Sequence, residues 1–368
     1  MKVGVFFRTD QKMGGVYQYS LSVVNCLKKN KNIDELIIYS NSNNLKFNNV
    51  RTIRIKNFNL KIIFSLLFGM FNFFPRFLFN QVDLIFAPSY SPLLFLSKAK
   101  VIFTLHDLQE LYFPENFDKW TLLWRNFIYK KMAKKSSHII TESKFVKEDI
   151  VKFLNYNAKK IHVIESPPYF DSIYNDIETG ENFLRYFSYR GDYIFFPAQF
   201  WKHKNHERVL KAFVKISEDN HHIKIILTGN KDREYESILS LVKSLGIEKK
   251  VIFMHSVPQK FMPFLFENAL FTVAPTLHES ISIPVFEAFK FGSPVCASGI
   301  LAIKDQVGDS GLLFDPKSIE SIYLCMNKLS KNKRLREDLI VKGKKRVEYF
   351  SIKRFNKLIT DVFYDKTY

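Results

Sequence analysis

The sequence has few cysteines, and their spacing gives no sign that they act together. Cys26, Cys296 and Cys325 are scattered along the chain, and no C-x-x-C pair occurs. This distribution argues against a disulfide framework or a zinc cluster and is typical of a protein of the reducing cytoplasm. The sequence also lacks an internal repeat and a low-complexity linker, and we expect no signal peptide because its first apolar run is short.

Acidic residues are scarce as well: 36 aspartates and glutamates stand against 55 lysines and arginines, which gives a formal net charge of +19. Such a charge indicates a nucleic acid or an anionic membrane surface as partner. The lysines are spread over the whole chain and no nucleic-acid-binding motif is present, so we expect no nucleic acid partner and keep a nucleic-acid-binding protein only as an alternative. The 368 residues, 46% of them hydrophobic, suffice for two globular domains.

The most informative stretch is PTLHESISIPVFEAFKFGSPVCAS, residues 275–298. The apolar residues 269–274 before it predict a strand, and residues 285–291 predict a short helix. The unpaired N–H groups at the start of such a helix suit a phosphate group. Glu287, in the predicted first turn, is placed to accept hydrogen bonds from a ribose, and Glu279, at the mouth of the loop, from a second polyol. The alternative is a capped surface helix with two solvated acids.

This stretch resembles the E-x7-E signature of the retaining nucleotide-sugar glycosyltransferases of the GT-B fold, in particular family 4 (glycosyl transferases group 1) of the bacterial surface-polysaccharide type. The matching positions are Glu279, Pro284, Glu287, Ala288, Gly292, Pro294, Val295, Ala297 and Ser298. Where the family usually has Gly-Phe-Gly, this chain has Ser280, Ile281 and Ser282. We therefore expect the donor phosphates to bind the backbone amides from Ser280 to Ile283 and the hydroxyls of the two serines.

The resemblance implies an α/β protein of the GT-B fold, with two Rossmann-like, doubly wound domains that face a cleft. Residues 1–175 would form the N-terminal acceptor domain, rejoined by a C-terminal helix at 351–368. Residues 188–350 would form the C-terminal nucleotide-sugar (donor) domain, in which residues 319–349 are predicted to be helical. The polar and aromatic stretch 166–192 between the domains shows neither the helical nor the strand spacing of apolar residues, and it is the predicted linker.

In the first half, a predicted strand ends at a histidine. The apolar run 100–105 predicts a buried parallel strand, and His106 and Asp107 follow it directly. Ligands of open α/β sheets bind at the carboxyl ends of strands, although a single histidine is more often a polar group satisfied within the fold. The resemblance implies that His106 contacts the donor sugar and that Asp107 lies on the acceptor side.

A strand, a turn with two glycines and a helix are predicted at the start of the chain. Gly14 and Gly15 occupy the turn, and such a pair often has no further role. In the family that the chain resembles, the corresponding loop faces the donor phosphates and the acceptor. This resemblance assigns Gly15 to the donor side and Gly14 to the acceptor side.

The segment PAQFWKHKNH, after the first predicted strand of the second half, resembles the family's G-R-x-x-x-x-K-[GN] segment. There, an arginine and a lysine neutralise the donor diphosphate and aid its departure. Lys204 and Asn205 match this pattern, whereas Gln199, which carries no charge, occupies the arginine position. We therefore expect Lys204, helped by Lys202 or His203, to carry most of this role.

The sequence contains no D-x-D pair, which transferases of the other common fold use to hold a divalent metal on the diphosphate. We therefore expect no metal and no cofactor, with the phosphate charge met by protein groups. The catalytic residues that the resemblance implies are Glu279, His106 and Lys204. The leaving diphosphate would take the acceptor proton on the same face, so that the anomeric configuration is retained.

The resemblance implies an enzyme, a hexosyltransferase. It would move a hexose from a nucleotide-diphosphate sugar, of the GDP-mannose or UDP-sugar type, to a glycan or lipid-linked acceptor in surface-polysaccharide (O-antigen or capsule) assembly. The alternative within the same fold is a nucleotide-sugar epimerase. Isomerisation of the sugar without an acceptor would distinguish the epimerase from the transferase.

Two segments indicate contact with a membrane surface. Residues 60–79 are strongly apolar and nearly long enough to span a bilayer, but Gly69, Pro75 and Arg76 interrupt them, so a core helix or an interfacial helix is expected instead. Residues 119–135 predict a basic helix, typical of an anionic membrane surface or of a solvated face. We expect a cytoplasmic protein that can lie peripherally on the inner face of the plasma membrane.

Overall fold

The computed structural model describes residues 1–8, 15–41, 47–55, 79, 81–166, 180–187, 189–231 and 234–364. They belong to two compact units, Met1–Pro167 with Ile352–Tyr368, and Pro168–Ser351. Gly14, all but the last residue of the apolar run 60–79 and about half of the predicted linker lie outside the described residues. Within the described ranges, no helix combines the length and the apolar content needed to cross a membrane.

The described part of the first unit is built on a parallel sheet of seven strands. In chain order they are β1 Lys2–Phe7, β2 Glu35–Ser40, β3 Arg51–Arg54, β4 Leu84–Ala87, β5 Lys100–Thr104, β6 His138–Thr141 and β7 Ile161–Val163. Their spatial order is β3-β2-β1-β4-β5-β6-β7, so the direction of winding reverses between β1 and β4. Val3 of β1 accordingly pairs with Leu36 on one side and Leu84 on the other. Such a switch point opens a crevice at the carboxyl ends of the two strands.

The second unit has a parallel sheet of six described strands. They are β8 Tyr193–Pro197, β9 Lys224–Thr228, β10 Val251–His255, β11 Phe271–Ala274, β12 Val295–Ser298 and β13 Gly311–Phe314. Their spatial order, β10-β9-β8-β11-β12-β13, reverses between β8 and β11, where Ile194 pairs with both Ile225 and Phe271. Both units therefore have the doubly wound, Rossmann-like topology that the sequence predicts.

Twelve α-helices accompany these strands in the described residues. They are α1 Gly15–Lys28, α2 Lys119–Lys135, α3 Lys144–Leu154, α4 Gly180–Tyr186, α5 His206–Asp219, α6 Tyr235–Ser244, α7 Met262–Glu267, α8 Ile283–Phe291, α9 Leu301–Val307, α10 Ile319–Lys331, α11 Lys333–Tyr349 and α12 Ile352–Phe363. The predicted helix 319–349 is thus two helices, because Asn332 ends α10 and caps α11 by accepting from the Leu335 N–H at 2.9 Å. The last helix, α12, returns to the first unit and packs against α1.

The alternation of side chains along β1 creates a separate core on each face of the first sheet. Val3, Val5 and Phe7 pack with α1 and α12 on one face, whereas Phe6 packs with α2 and α3 on the other. Gly4 also faces the second side, where a Cβ would lie 2.9 Å from the ring of Tyr39. The strand ends that carry candidate site residues are therefore fixed by buried side chains on both faces.

Candidate functional site

Two loops of the second unit meet at its switch point. One follows β8 and contains Lys204, and the other follows the neighbouring strand β11 and contains Glu279. Lys204 Nζ donates to Glu279 Oε1 at 2.6 Å, and the two side chains are 14% and 20% exposed. The fold thus brings two residues that are 75 positions apart into an ion pair at the sheet edge where ligands of this topology bind.

Asn205, the residue after Lys204, joins the loops on either side of the pair. Its backbone is left-handed, with φ of 64°, and the residue is 3% exposed. Its Nδ2 donates to Pro275 O at 3.1 Å and to Pro316 O at 2.8 Å, and its Oδ1 accepts from Arg208 at 3.0 Å. The sequence predicts that Asn205 contacts the donor. Because its amide is bound within the protein, we assign it instead to positioning the loop that carries Lys204.

The loop at 280–283 is held by Gln306, a residue that the sequence analysis did not single out. Gln306 Oε1 accepts from the Ser282 N–H at 2.8 Å and its Nε2 donates to Ser282 O at 2.7 Å. The Ser282 N–H is therefore already bonded to Gln306, contrary to its predicted role of binding phosphate. Of the two predicted phosphate-binding groups of Ser282, only the hydroxyl can still bind phosphate. In the part of the chain that the structure describes, the N–H groups of Ser280, Ile281 and Ile283 have no hydrogen-bond partner. They and the start of α8 can bind an anion.

Glu287 lies further into its helix than the sequence predicts. Because α8 begins at Ile283, one residue before Pro284, its first turn contains no acidic residue and Glu287 opens the second turn. The residue is 8% exposed. The placement in the first turn is therefore wrong, and the role of Glu287 toward a ribose stays a prediction.

Gln199, in the position of the family's arginine, is bonded to a neighbouring loop. Its Oε1 accepts from the Asn230 N–H at 2.9 Å, just after β9. The two loops come this close because Gly229, with φ of 145°, has no Cβ, which would lie 2.5 Å from Ala198 O. Gln199 therefore fixes the start of the loop that leads to Lys204 and leaves its Nε2 as the group that can donate to a phosphate.

His203 does not replace the missing arginine. Burial, together with the positive charge of Lys204 and the proximity of His278, lowers the pKa of His203 to about 3. The ring is therefore neutral near pH 7, and the prediction that His203 adds positive charge is wrong. Its carbonyl accepts from the Leu277 N–H at 2.7 Å, which ties the Lys204 loop to the Glu279 loop.

In the first unit, His106 follows β5 and is held on both sides of its ring. Nδ1 lies 2.8 Å from Glu142 Oε2, and Nε2 lies 2.9 Å from Pro88 O. Because a carbonyl oxygen only accepts, Nε2 donates to Pro88, and a proton on Nδ1 completes the bond to the carboxylate. Burial opposes the imidazolium, but the charge and hydrogen bond of Glu142 raise the pKa of His106 above its ordinary 6.5. His106 can therefore offer a ligand its ring edge and charge, since both nitrogens are engaged.

Beside His106 lies a cavity of about 400 Å³ whose walls belong entirely to the first unit. The hydroxyl residues Ser89 and Thr104 line it, and the charged and aromatic side chains that line it are Arg8, Tyr90, His106, Asp107, Arg125 and Tyr129. They follow β1, β4 and β5 or belong to α2, so the cavity lies at the switch point of the first sheet. Arg125 donates to the buried carboxylate of Glu110 at 2.8 Å. His106 and Asp107 are predicted from the sequence to lie here, whereas Arg8 and Arg125 belong to no motif and were not predicted.

The predicted glycine pair is described only in part. Gly15 is the first residue of α1 and is exposed, and Gly14 lies outside the described residues. Across the described ranges, no three His, Cys, Asp or Glu side chains are grouped as a metal site would require. Charged and hydrogen-bonding protein groups lie at both switch points, and such groups suit phosphate and hydroxyl ligands.

Two family models match the chain, one over each half. The model described as "Glycosyltransferase Family 4" matches residues 13–167, and the model described as "Glycosyl transferases group 1" matches residues 188–346. The first match lies within the first unit and the second within the second unit. The second match contains both loops of the Lys204–Glu279 pair.

Curated relatives are similar over about three fifths of the chain. The O-antigen chain mannosyltransferase RfbU of Salmonella typhimurium is 27% identical over 218 residues, which are 59% of this chain and 57% of that protein. The O-antigen chain mannosyltransferase B of Escherichia coli is 24% identical over 254 residues, 68% of this chain and 67% of that protein. The chain thus spans between about half and two thirds of the length of the relatives that it matches.

A solved structure is similar over the whole fold. The crystal structure of HepE from Anabaena, in complex with UDP-glucose, superimposes with a TM-score of 0.79 and 16% identity, covering 99% of this chain and 100% of that one. This likeness concerns the fold, which is GT-B. The two family models, which together match most of the chain, show that it belongs to the glycosyltransferases of family 4 and group 1.

Proposed function

We propose that the protein is a retaining, metal-independent hexosyltransferase that uses a nucleotide-diphosphate sugar as donor and a glycan or lipid-linked hydroxyl as acceptor. The observation that carries the proposal is the Lys204–Glu279 ion pair at the switch point of the second sheet, beside the start of α8. A fixed cation and unbonded amides suit a diphosphate, and an adjacent carboxylate suits the hydroxyls of the attached sugar.

In the proposed reaction, the bond between the anomeric carbon and the β-phosphate oxygen breaks and its electron pair stays on that oxygen. The acceptor oxygen forms the new bond on the same face, and its proton passes to the leaving diphosphate, so no general-base carboxylate is needed. Lys204 and the N–H groups of Ser280, Ile281 and Ile283 stabilise the charge that develops on the diphosphate. This electrostatic stabilisation is the main catalytic contribution.

The carboxylates have separate roles in this proposal. Glu279 bonds to Lys204 through Oε1, and its Oε2 accepts from a hydroxyl of the transferred sugar. Glu287 accepts from the ribose of the nucleotide. In the first unit, Asp107 accepts from a hydroxyl in the cavity, and His106 contributes its ring edge and positive charge there.

Two findings support particular substrates. The relatives in Salmonella and Escherichia coli are described as O-antigen chain mannosyltransferases, which favours a mannosyl donor and a surface-polysaccharide acceptor. The similar structure of HepE holds UDP-glucose, which keeps a UDP-sugar as the second donor class. We therefore propose GDP-mannose as the first donor to test and UDP-glucose as the second.

The test combines binding and product analysis. Purified protein is heated with each nucleotide-sugar in buffer that contains EDTA, and we expect one donor to raise the melting temperature because a ligand of the folded state stabilises it by mass action. NMR of the product formed with that donor and a glycan acceptor should show the donor's anomeric configuration. An inverted product would contradict retention, and activity that appears only after Mg²⁺ or Mn²⁺ is added would contradict metal independence.

A further inference from the structure

The helix α2 carries apolar side chains on two opposite faces. Its inward face is buried against the first sheet through Ile128, Tyr129, Met132 and Ala133. On its outward face four large apolar side chains are exposed: Trp120 (82%), Leu123 (63%), Trp124 (41%) and Phe127 (45%). The spacing of these four is that of one continuous row on a helix surface. Among the described residues, these four side chains lie outside the buried core of the first unit.

The same outward row continues toward the helix C-terminus as lysines. Lys130, Lys131 and Lys134 occupy the next positions of the row and are exposed. The ammonium of Lys131 lies 5.7 Å from the ring centroid of Phe127, so the apolar and basic parts touch. Lysines near a helix C-terminus are favoured by the helix dipole, but this explains neither the two tryptophans nor the absence of acidic residues from all 17 residues of α2.

The row is presented by a well-anchored helix. Asp118 caps its start by accepting from the Thr121 N–H at 2.9 Å, and at its end the Lys135 ammonium donates to Ser97 O. Between these anchors, Ile128 and Met132 are fully buried. Trp120 and its neighbours therefore remain exposed on a helix whose orientation within the first unit is fixed.

We propose that this row, the α2 stripe (Trp120, Leu123, Trp124, Phe127, Lys130, Lys131 and Lys134), binds the surface of an anionic lipid bilayer. Tryptophan, leucine and phenylalanine side chains enter the interfacial region of a membrane, where indole rings are favoured. The three lysines then meet the phosphates of anionic lipids. The bilayer fits better than a second copy of the chain, because α2 offers no acidic side chain to the lysines of another α2 stripe.

This inference goes beyond the proposed transfer reaction. Binding to vesicles is measured without any donor or acceptor, so a failure here leaves the proposed reaction intact, and an inactive protein can still bind membranes.

The first test is co-flotation of the full chain with vesicles of phosphatidylcholine alone and of phosphatidylcholine mixed with phosphatidylglycerol. We expect binding to the anionic vesicles only, weakening as salt is raised. The triple variant K130Q/K131Q/K134Q should bind about a hundredfold more weakly, since each lysine near an anionic surface contributes about fivefold. The matched control K243Q/K249Q/K345Q removes three exposed lysines of the second unit and should bind as the wild type does.

The second test follows the tryptophans directly. Two of the three tryptophans lie in the α2 stripe, so a Trp201→Phe protein reports on Trp120 and Trp124 alone. We expect its emission to shift to shorter wavelength on adding anionic vesicles. The variant Trp120→Ala should weaken flotation, whereas the control Leu324→Ala, at a side chain 57% exposed in the second unit, should not.

Several results would overturn the proposal. One is flotation with neutral vesicles, or with anionic vesicles at high salt, that equals flotation with anionic vesicles at low salt. Another is tryptophan emission that does not shift although the protein floats with the vesicles. A third is equal binding by the wild type and the triple lysine variant. A concentration-dependent dimer in sedimentation that Trp120→Ala abolishes would show that a second copy covers the stripe, and would also overturn it. Circular dichroism of each variant confirms that the exposed substitutions leave the fold intact.

Discussion

In each unit a basic side chain bonds to a glutamate at the carboxyl edge of a parallel sheet, but the base is Lys204 in the second unit and His106 in the first. The lysine pair follows β8 and β11, which flank the switch point of the second sheet, whereas the histidine pair follows β5 and β6, the next two strands beyond β4 in the first sheet. Burial opposes the imidazolium of His106, but the charge and hydrogen bond of Glu142 raise its pKa, and the charge of this side chain depends on pH. The first unit therefore has a titratable group beside its cavity, whereas the second unit has an amine–carboxylate pair where phosphate is proposed to bind.

Removing the cation of the second unit should have the largest effect. We expect Lys204→Ala to lower turnover about a hundredfold or more, the scale known for loss of one preorganised charge or donor. The assay is transfer from the donor identified by thermal shift, with Lys243→Ala as control because Lys243 is an exposed lysine of α6. Turnover unchanged in a folded Lys204→Ala protein would remove the proposed role of the pair.

The loop that carries Lys204 should depend on Asn205. We expect Asn205→Gly to destabilise the second unit by about 2–3 kcal/mol, because glycine keeps the left-handed backbone but leaves two buried carbonyl groups unbonded. Differential scanning calorimetry measures the loss. The matched control is Asn155→Gly, which changes an exposed left-handed asparagine of the first unit. Equal effects of the two changes would contradict the role of the Asn205 side chain.

The pair of the first unit should make stability depend on pH. Since the folded-state pKa of His106 is raised, its stabilisation is complete below pH 6.5 and is lost as the pH rises through the raised value. In Glu142→Gln we expect about 1–2 kcal/mol less stability at the acidic end and a flatter pH profile. Urea denaturation in a Trp201→Phe background, which reports on the first unit, tests this. If the stability of Glu142→Gln depended on pH as steeply as that of the wild type, the His106–Glu142 pair would not be the source of the pH dependence.

The smallest expected effect comes from the cap next to Glu142. Ser143 is the N-cap of α3, and its side chain accepts from the Val146 N–H at 3.3 Å. Ser143→Ala should cost about 1 kcal/mol, as loss of an N-cap does. The pH dependence that His106 confers should persist in this variant, measured in the same urea experiment. A flattened profile would mean that the cap, rather than the charge of Glu142, sets the environment of His106.

Local patterns predicted much of the fold. The helix at 119–135 has the predicted bounds, and the strand predicted at 100–105 is observed at Lys100–Thr104, because the apolar spacing of each lies within one segment. The break at Asn332 was missed, since the basic helical pattern runs on through it and only the cap contact to Leu335 ends it. The strand Ile161–Val163 was also missed, because three residues are too few to show the alternation of apolar and polar side chains that marks a strand.

The site was predicted less completely than the fold. The signature loop and Lys204 follow from contiguous motifs, whereas Gln306 reaches Ser282 across 24 residues and belongs to no motif. The neutral state of His203 could not be predicted either, because it results from burial that only the folded structure creates. The outward apolar row of α2 was present in the sequence, but which of its faces is exposed depends on the packing of Ile128 and its neighbours.

The return of α12 to the first unit has a consequence for synthesis of the chain. Cys26 Sγ donates to Asn356 O at 3.6 Å across 330 residues, and the rings of Phe86 and Phe363 lie 5.6 Å apart. The part of this face of the amino-terminal sheet that α12 covers therefore stays exposed on the ribosome until α12 emerges, although α1 is already present. The second unit is one continuous stretch and can close earlier, which reverses the usual amino-to-carboxyl order of domain folding.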